Sequence, residues 1–455
     1  MRSAFLLHFV VAVSAGAGQA ASPAPSIAHE SFAADVAPVL QRHCVACHGP
    51  EKAKGHFRLD TYAGLMKPGT SDKPSVVPGQ PEASHLYQLI VEKNEDDRMP
   101  QKAEPLTAAE MSVIRAWIAD GAKFDGPSTT APLVSFLPKP AHPPAPQHYT
   151  HAWPVTAVTF KPDGSQLVVG GYREITFWNV TNQTLVRRAG GMPERIHSLS
   201  WQPGGSLVAI AGGAPGRSGE VLLFDTATNQ PPLDLTVTGD EMLCTAFSSD
   251  GQRLAAGGAD KILRVFSVKS GTEILKLEQH SDWVHGVVFS PDGGMIASAS
   301  RDRTARVYNS TNGETISIFR GHDAAVESLV FSKDGKLVLS AGADRVVRSW
   351  DSADAGHSKT VAKFDVAITA LSRADQSVFI ALADGRVVQY RVPERDNPRE
   401  FTGTGDRVTA LAFHEASQLL AIGTHGGRVW VWNLSDGSLV SDFTASPGFI
   451  PTTGR

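Results

Sequence analysis

From Trp153 to the end of the chain, apolar and polar positions alternate in short runs, and the alternation itself repeats. Each unit opens on a run such as Val287-Val-Phe-Ser290 and crosses a turn of the Pro-Asp-Gly type. A small-residue run follows, then a polar turn bearing aspartate, then a run that ends in an aromatic. Those aromatics are Trp178, Phe224, Phe266, Tyr308, Trp350, Tyr390 and Trp432, spaced 46, 42, 42, 42, 40 and 42 residues apart. Period-two alternation over a few residues predicts strands. Four short strands recurring about every 42 residues predict a β-propeller. Seven aromatics predict seven blades, over residues 151–446.

Ahead of the repeats the period changes. Phe32, Val36, Val39 and Leu40 recur at helical spacing and lead straight into Cys44, so a helix is expected to deliver the residues that follow. Thr107-Ala-Ala-Glu110 reads as a capping box. Behind it Met111, Ile114, Trp117 and Ile118 make one apolar face, and Gly121 closes the helix. The pattern predicts a small all-α domain over 27–126 whose two flanking helices leave a thin core. A buried cofactor would supply the missing apolar mass. Between the two patterns, residues 127–150 carry seven prolines, an extended and semi-rigid linker. Within it Leu133-Val-Ser-Phe-Leu137 is apolar enough to add as a strand to the propeller.

The first residues read differently again. Arg2, the apolar run Ala4 to Val13 and the small residues up to Ala20 describe a secretory signal over residues 1–20. The run is too short to span a bilayer, and no later segment qualifies. A periplasmic or secreted bacterial protein is therefore expected. Composition narrows the partners: the net charge is -4, and no run of Lys or Arg suggests nucleic acid or an anionic membrane surface. Three cysteines, two of them close together, leave no disulfide framework.

Those two are Cys44 and Cys47, in Cys44-Val-Ala-Cys47-His48-Gly49. A Cys-x-x-Cys-His run is the attachment site of a c-type haem: two thiols one helical turn apart add to the vinyl groups, and the adjacent histidine reaches the iron. A zinc site would need a second ligand pair at similar spacing, and the one remaining cysteine is Cys244, far down the chain. A thioredoxin-like disulfide would want a βαβ setting that the neighbourhood lacks. For the second axial position the candidate is Met99, between Arg98 and Pro100 on a charged loop. Its rivals are Met66, His56 and His85.

The motifs occur in a characteristic order. Cys-x-x-Cys-His-Gly is followed by Gly55-x-Phe-x-Leu-Asp60, Val77-Pro-Gly-x-Pro81, Ser84-x-Leu, Met99-Pro100, Leu106 and Trp117-Ile-x-x-Gly-Ala122. From about Phe32 to Phe124 the chain resembles the planctomycete-type cytochrome c domain. The resemblance implies that Cys44 and Cys47 bind one haem covalently, that His48 is the proximal ligand and that Met99 is the distal one. A polar insertion around Glu92 to Asp97 departs from the family and is expected to reshape the edge of the haem pocket.

The repeats resemble the WD-repeat family. The best-formed unit has Gly321-His322, Ser340, Asp344 and Trp350-Asp351, which the resemblance implies to be a structural hydrogen-bonded set. Units one, two and six depart from it, with Glu174, Glu220 and Asp384 in altered turns. Cys244 is expected as a buried thiol in an inner strand. His197, His285 and His414 fall within predicted strands at unrelated offsets, without metal-ligand spacing. The expected function is one-electron transfer by an exported single-haem c-type cytochrome. Its propeller would dock a redox partner protein, anchored by the loop residues Trp153, Arg195 and Trp283, with the linker letting the haem domain reach it. Two alternatives are an oxidoreductase whose propeller binds substrate or a second cofactor, and a scaffold whose haem senses redox state.

Overall fold

The computed structural model describes residues 30–49, 53–101, 103–126, 128–133, 142–228, 230–374, 377–391, 398–401 and 405–449. The expected leader lies outside them.

The repeats form a seven-bladed β-propeller, each blade a four-stranded antiparallel sheet with its strands in chain order. By the bounds of their first and last strands, blade one runs from Val158–Phe160 to Leu185–Gly190 and blade two from Arg195–Trp201 to Leu233–Thr238. Blade three runs from Met242–Phe247 to Glu273–Leu277, blade four from Val284–Phe289 to Thr315–Phe319, and blade five from Val326–Phe331 to Ser358–Lys363. Blade six runs from Ile368–Ala374 to Arg399–Phe401, and blade seven from Val408–His414 to Leu439–Thr444. All seven spacing aromatics fall in the third strand of a blade, where the strand stands between two neighbours. The sheets pack face to face through shared apolar clusters such as Ala297, Val307, Leu329 and Trp350.

Among the described residues no strand is exchanged between the ends of the chain to close the ring. Blades one and seven meet instead through a common core that includes Val155, Phe160, Ala421 and Val431. The Val155 N–H donates to Thr424 O at 3.0 Å, the Thr409 hydroxyl donates to Val155 O at 2.6 Å, and Trp178 lies 4.8 Å from Phe443. Burial of this seam does the work of a shared strand.

The hydrogen-bonded set of blade five forms as a relay. Trp350 Nε1 donates to Ser340 Oγ at 3.0 Å, Ser340 Oγ lies 2.8 Å from His322 Nε2, and His322 Nδ1 lies 2.8 Å from Asp344 Oδ2. Blade four holds a second set: His280 Nδ1 to Asp302 Oδ2 at 2.8 Å and His280 Nε2 to Ser298 Oγ at 2.7 Å. Sequence reading missed it because Gln279 precedes the histidine and Tyr308 replaces the tryptophan. Glu174 and Glu220 are not in turns as expected. They lie within the third strands Glu174–Asn179 and Ser218–Asp225, only 1% and 3% exposed.

The N-terminal region is a small unit of short helices and turns. A π-helical turn, Phe32–Val36, runs into α1 (Ala37–His43), and the chain breaks at Cys44 before α2 (Val45–His48). The single helix expected here is thus interrupted, Cys44 having φ -124°. Next come α3 (Tyr62–Leu65), α4 (His85–Ile90) and α5 (Ala108–Ala119). The capping box at Thr107 and Glu110 is formed. Ile114, Trp117 and Ile118 are buried, with Met111 partly so. Phe32, Tyr62, Trp117 and Phe124 pack as an aromatic cluster with centroids 4.8 to 6.5 Å apart. Leu133 joins this core, its N–H donating to Asp60 O at 2.8 Å, rather than a propeller strand. Residues 134–137 lie outside the described residues. The backbone of α2 approaches the last strand of blade three within 8 Å.

Candidate cofactor cavity

The N-terminal region encloses a cavity of about 1070 Å³ including its open mouth. Four stretches build its wall, the last of them residues 69–75 with Thr70, Ser71, Lys73 and Ser75. One is the motif turn with His43, Cys44, Cys47 and His48; the second is the Lys54–Leu59 stretch with Phe57; the third is α4 with its following loop, giving His85, Leu86, Leu89, Ile90, Met99 and Pro100. Their mutual positions follow from the backbone. The Leu59 N–H donates to His48 O at 2.8 Å, pinning the second stretch under the motif, and the Met99 N–H donates to Leu89 O at 3.0 Å, folding the methionine loop back onto α4. The Ser84 hydroxyl, fully buried, accepts from Val77 N at 2.8 Å and donates to Gln80 O at 2.9 Å, which fixes the entry to α4.

Cys44, Cys47, His48 and Met99 therefore line one cavity although 51 residues separate the last two in sequence. Of the rivals, His85 lines it as well. Met66 packs into the apolar core instead, and His56 is exposed and bonded through Nδ1 to Thr70 at 3.1 Å. The polar insertion Glu92 to Asp97 is exposed and stands outside the cavity lining. It forms its own compact turn, with Asn94 Nδ2 donating to Asp97 Oδ2 at 2.7 Å.

The electrostatics suit a neutral ligand set. Burial pushes the His48 imidazole below its ordinary value, outweighing the carbonyls of Phe57 and Lys54. The ring's Nδ1 lies 3.4 Å from Phe57 O, so a proton there leaves Nε2 with the lone pair. Cys44 is partly buried, and dense packing, with Cys47 and Glu110 nearby, pushes its thiol up to about 12. It is the opposite of an activated redox thiolate, which needs a lowered value. Cys244 is likewise pushed up to about 12 by burial, in the first strand of blade three.

In the propeller, Trp153 and Trp283 are half-buried and each has a neighbour: Trp153 lies 4.6 Å from Tyr172, and the Arg301 guanidinium stands 4.9 Å over Trp283. Arg195 is exposed at the start of blade two. His197 and His285 prove to be structurally equivalent, each at the register break of an inner strand. Each reaches toward the next blade, His197 to Glu241 and His285 to Glu327, both at 2.8 Å. Linear offsets from the blade aromatics hid this because the hairpin between the second and third strands is longer in blade two, where Phe224 pairs with Val208, than in blade four, where Tyr308 pairs with Ile296. Among the described residues no cluster of three or more His, Cys, Asp or Glu side chains could hold a metal ion. No described helix is long and apolar enough to cross a membrane.

Comparison with known proteins agrees with this geometry. Residues 44–102 match the family model for planctomycete cytochrome C. Residues 145–179, 235–267, 271–309, 313–351 and 396–433 match the WD domain, G-beta repeat. Blade one is matched despite its departures, whereas most of blades two and six fall between the matched segments. The chain is 31% identical over 109 residues to the WD repeat-containing protein VIP3 of Arabidopsis thaliana, covering 21% of this chain and 33% of that one. It is 28% identical over 131 residues to small ribosomal subunit protein RACK1 of Schizosaccharomyces pombe, covering 27% and 40%. It is 43% identical over 56 residues to a probable serine/threonine-protein kinase, PkwA, of Thermomonospora curvata, covering 12% and 7%. The matches span between 7% and 40% of the length of these relatives.

Proposed function

From a region of planctomycete cytochrome C type fused to a seven-bladed WD-repeat propeller, we propose an exported single-haem c-type cytochrome that transfers one electron at a time. The propeller serves as its protein-docking platform. The observation that carries this reading is the convergence of Cys44, Cys47, His48 and Met99 on one cavity walled by Phe57, Leu59, Leu86, Leu89 and Ile90.

The donor set fits a haem. Cys44 and Cys47 would hold it through thioether bonds to its two vinyl groups, an addition of thiols that needs no oxidant. When bound, the haem iron supplies a reversible one-electron couple. The residues do the rest. His48, held neutral by burial and oriented by Phe57 O, presents its imidazole lone pair. Met99, held by its backbone bond to Leu89, presents an uncharged thioether that favours the reduced form. His48 and Met99 would both hold the iron, and a haem so held would serve electron transfer rather than oxygen or substrate chemistry. The apolar wall excludes water, which also raises the potential.

The expected domains are residues 27–126 for the cytochrome and 151–446 for the propeller, joined by 127–150. A redox titration of the purified exported protein tests the function: one electron per chain, with an absorbance change of a low-spin haem, is expected. Turnover of a small-molecule substrate at a rate matching haem reduction would overturn the docking role.

A further inference from the structure

Among the described residues, two polar atoms in the cavity wall have no hydrogen-bond partner. Ser75 Oγ and His85 Nδ1 are buried without a hydrogen-bond partner, and both residues line the cavity. Ser75 is only 5% exposed. Backbone bonds set the two side by side: His85 N donates to Pro74 O and Leu86 N donates to Ser75 O, each at 3.0 Å. An unsatisfied buried polar group costs about 1–3 kcal/mol, so two at one place call for an explanation. The lining that α4 adds beside His85 is Leu86, Leu89 and Ile90, whose side chains offer neither a donor nor an acceptor.

The charge of the lining indicates what belongs there. It includes Lys54 and Lys73, both exposed, and among the described residues neither an aspartate nor a glutamate. A hydroxyl and a neutral imidazole N–H can both donate, and an ionised carboxylate is an acceptor-only group. On a haem whose vinyl groups are taken by Cys44 and Cys47, the polar groups left at the periphery are the two propionates.

We infer that Ser75 and His85 form the carboxylate-binding end of this cavity and hydrogen-bond a haem propionate, with Lys54 and Lys73 supplying a favourable field. The inference rests on the haem reading above. Removing either donor leaves the propionate charge less compensated, which favours the oxidised iron and lowers the potential.

The test compares the full-length holoprotein with Ser75→Ala, His85→Leu and His85→Gln. Propionate bending modes are read by resonance Raman spectroscopy, and the potential by redox titration. Ser75→Ala and His85→Leu should shift the propionate modes and lower the potential while keeping covalent haem and the methionine-to-iron charge-transfer band. His85→Gln, which retains a donor, should restore both towards wild type. Unchanged modes and potential in both donor-deleting variants would overturn the inference. So would loss of the charge-transfer band in His85→Leu, which would make His85 essential to axial ligation. A wild-type protein without covalent haem would instead defeat the functional reading itself.

Discussion

His142 brings its Nε2 to 2.9 Å from Oε2 of Glu220, a carboxylate only 3% exposed in blade two. The approach is an ion-pair contact rather than an aligned hydrogen bond. Seven residues on, the Tyr149 hydroxyl donates to Glu174 Oε1 at 2.7 Å in blade one. Glu174 stands four residues before Trp178 and Glu220 four before Phe224, the same place in adjacent blades. Arg188 completes the arrangement, bridging Glu174 to the carbonyl of Gln147 at 2.9 Å. The two blades that carry these carboxylates use them to strap down 142–149. The propeller end of the segment, expected to be an extended and semi-rigid linker, is therefore fixed to blades one and two.

The strap should depend on pH. The Glu220 carboxylate holds the His142 imidazolium above its ordinary value, outweighing burial. A raised value in the folded state means that the contact contributes fully below about 6.5 and is lost as pH rises through the raised value. Hydrogen exchange of residues 142–149, corrected for intrinsic rates, should be slower at about pH 6 than at about pH 9. His142→Ala should remove the difference. An identical pH dependence in the variant would show that the contact does not hold the segment.

Met99→Ala should abolish the sulfur-to-iron charge-transfer band and open the iron to cyanide. It should also lower the potential by about a hundred millivolts or more. Met66→Ala, whose side chain packs in the core, should leave the spectrum alone. The reverse pattern would place the distal ligand on the wrong loop.

Ser340→Ala should destabilise the propeller without touching the haem spectrum. It strips the hydroxyl that joins Trp350 to His322, leaving two buried nitrogens unpaired. The expected loss is about 1–3 kcal/mol in denaturant unfolding of the propeller. A change below about 0.5 kcal/mol would mean that the relay contributes little to blade five.

How far the sequence spoke for itself differs from place to place. The seven aromatics marked every blade because the third strand has a neighbour on each side, which buries five of them and half-buries Tyr390 and Trp432. The position of Met99 opposite the cysteines was legible through the Met-Pro motif, but its cavity was not, since α4 and the Lys54–Leu59 stretch converge only through tertiary backbone bonds. Ser75 carried no readable signal and His85 was read only as a rival axial ligand, because an unpaired polar atom is defined by what fails to surround it. The equivalence of His197 and His285 was hidden by the longer hairpin between the second and third strands of blade two. The strap was misread because Glu174 and Glu220 look like broken turn residues until Tyr149 and His142 are seen to meet them.

The docking surface gives a further prediction. Trp153 lies tilted against Tyr172 and Arg301 stands over Trp283, so each indole is already held by a neighbour. If they anchor the redox partner, the double variant Trp153→Ala/Trp283→Ala should lose at least about 2 kcal/mol of affinity for it. Its haem spectrum should be unchanged and its melting temperature within a few degrees of wild type. Unchanged capture of the partner by the folded variant would move the interface elsewhere on the propeller.

The most direct test of the central claim is the intact mass of the exported protein under denaturing conditions, from cells competent in haem attachment. The account predicts the processed polypeptide plus one haem, with the added mass lost in Cys44→Ala/Cys47→Ala and kept in Cys244→Ala. A wild-type mass equal to the bare polypeptide would contradict it.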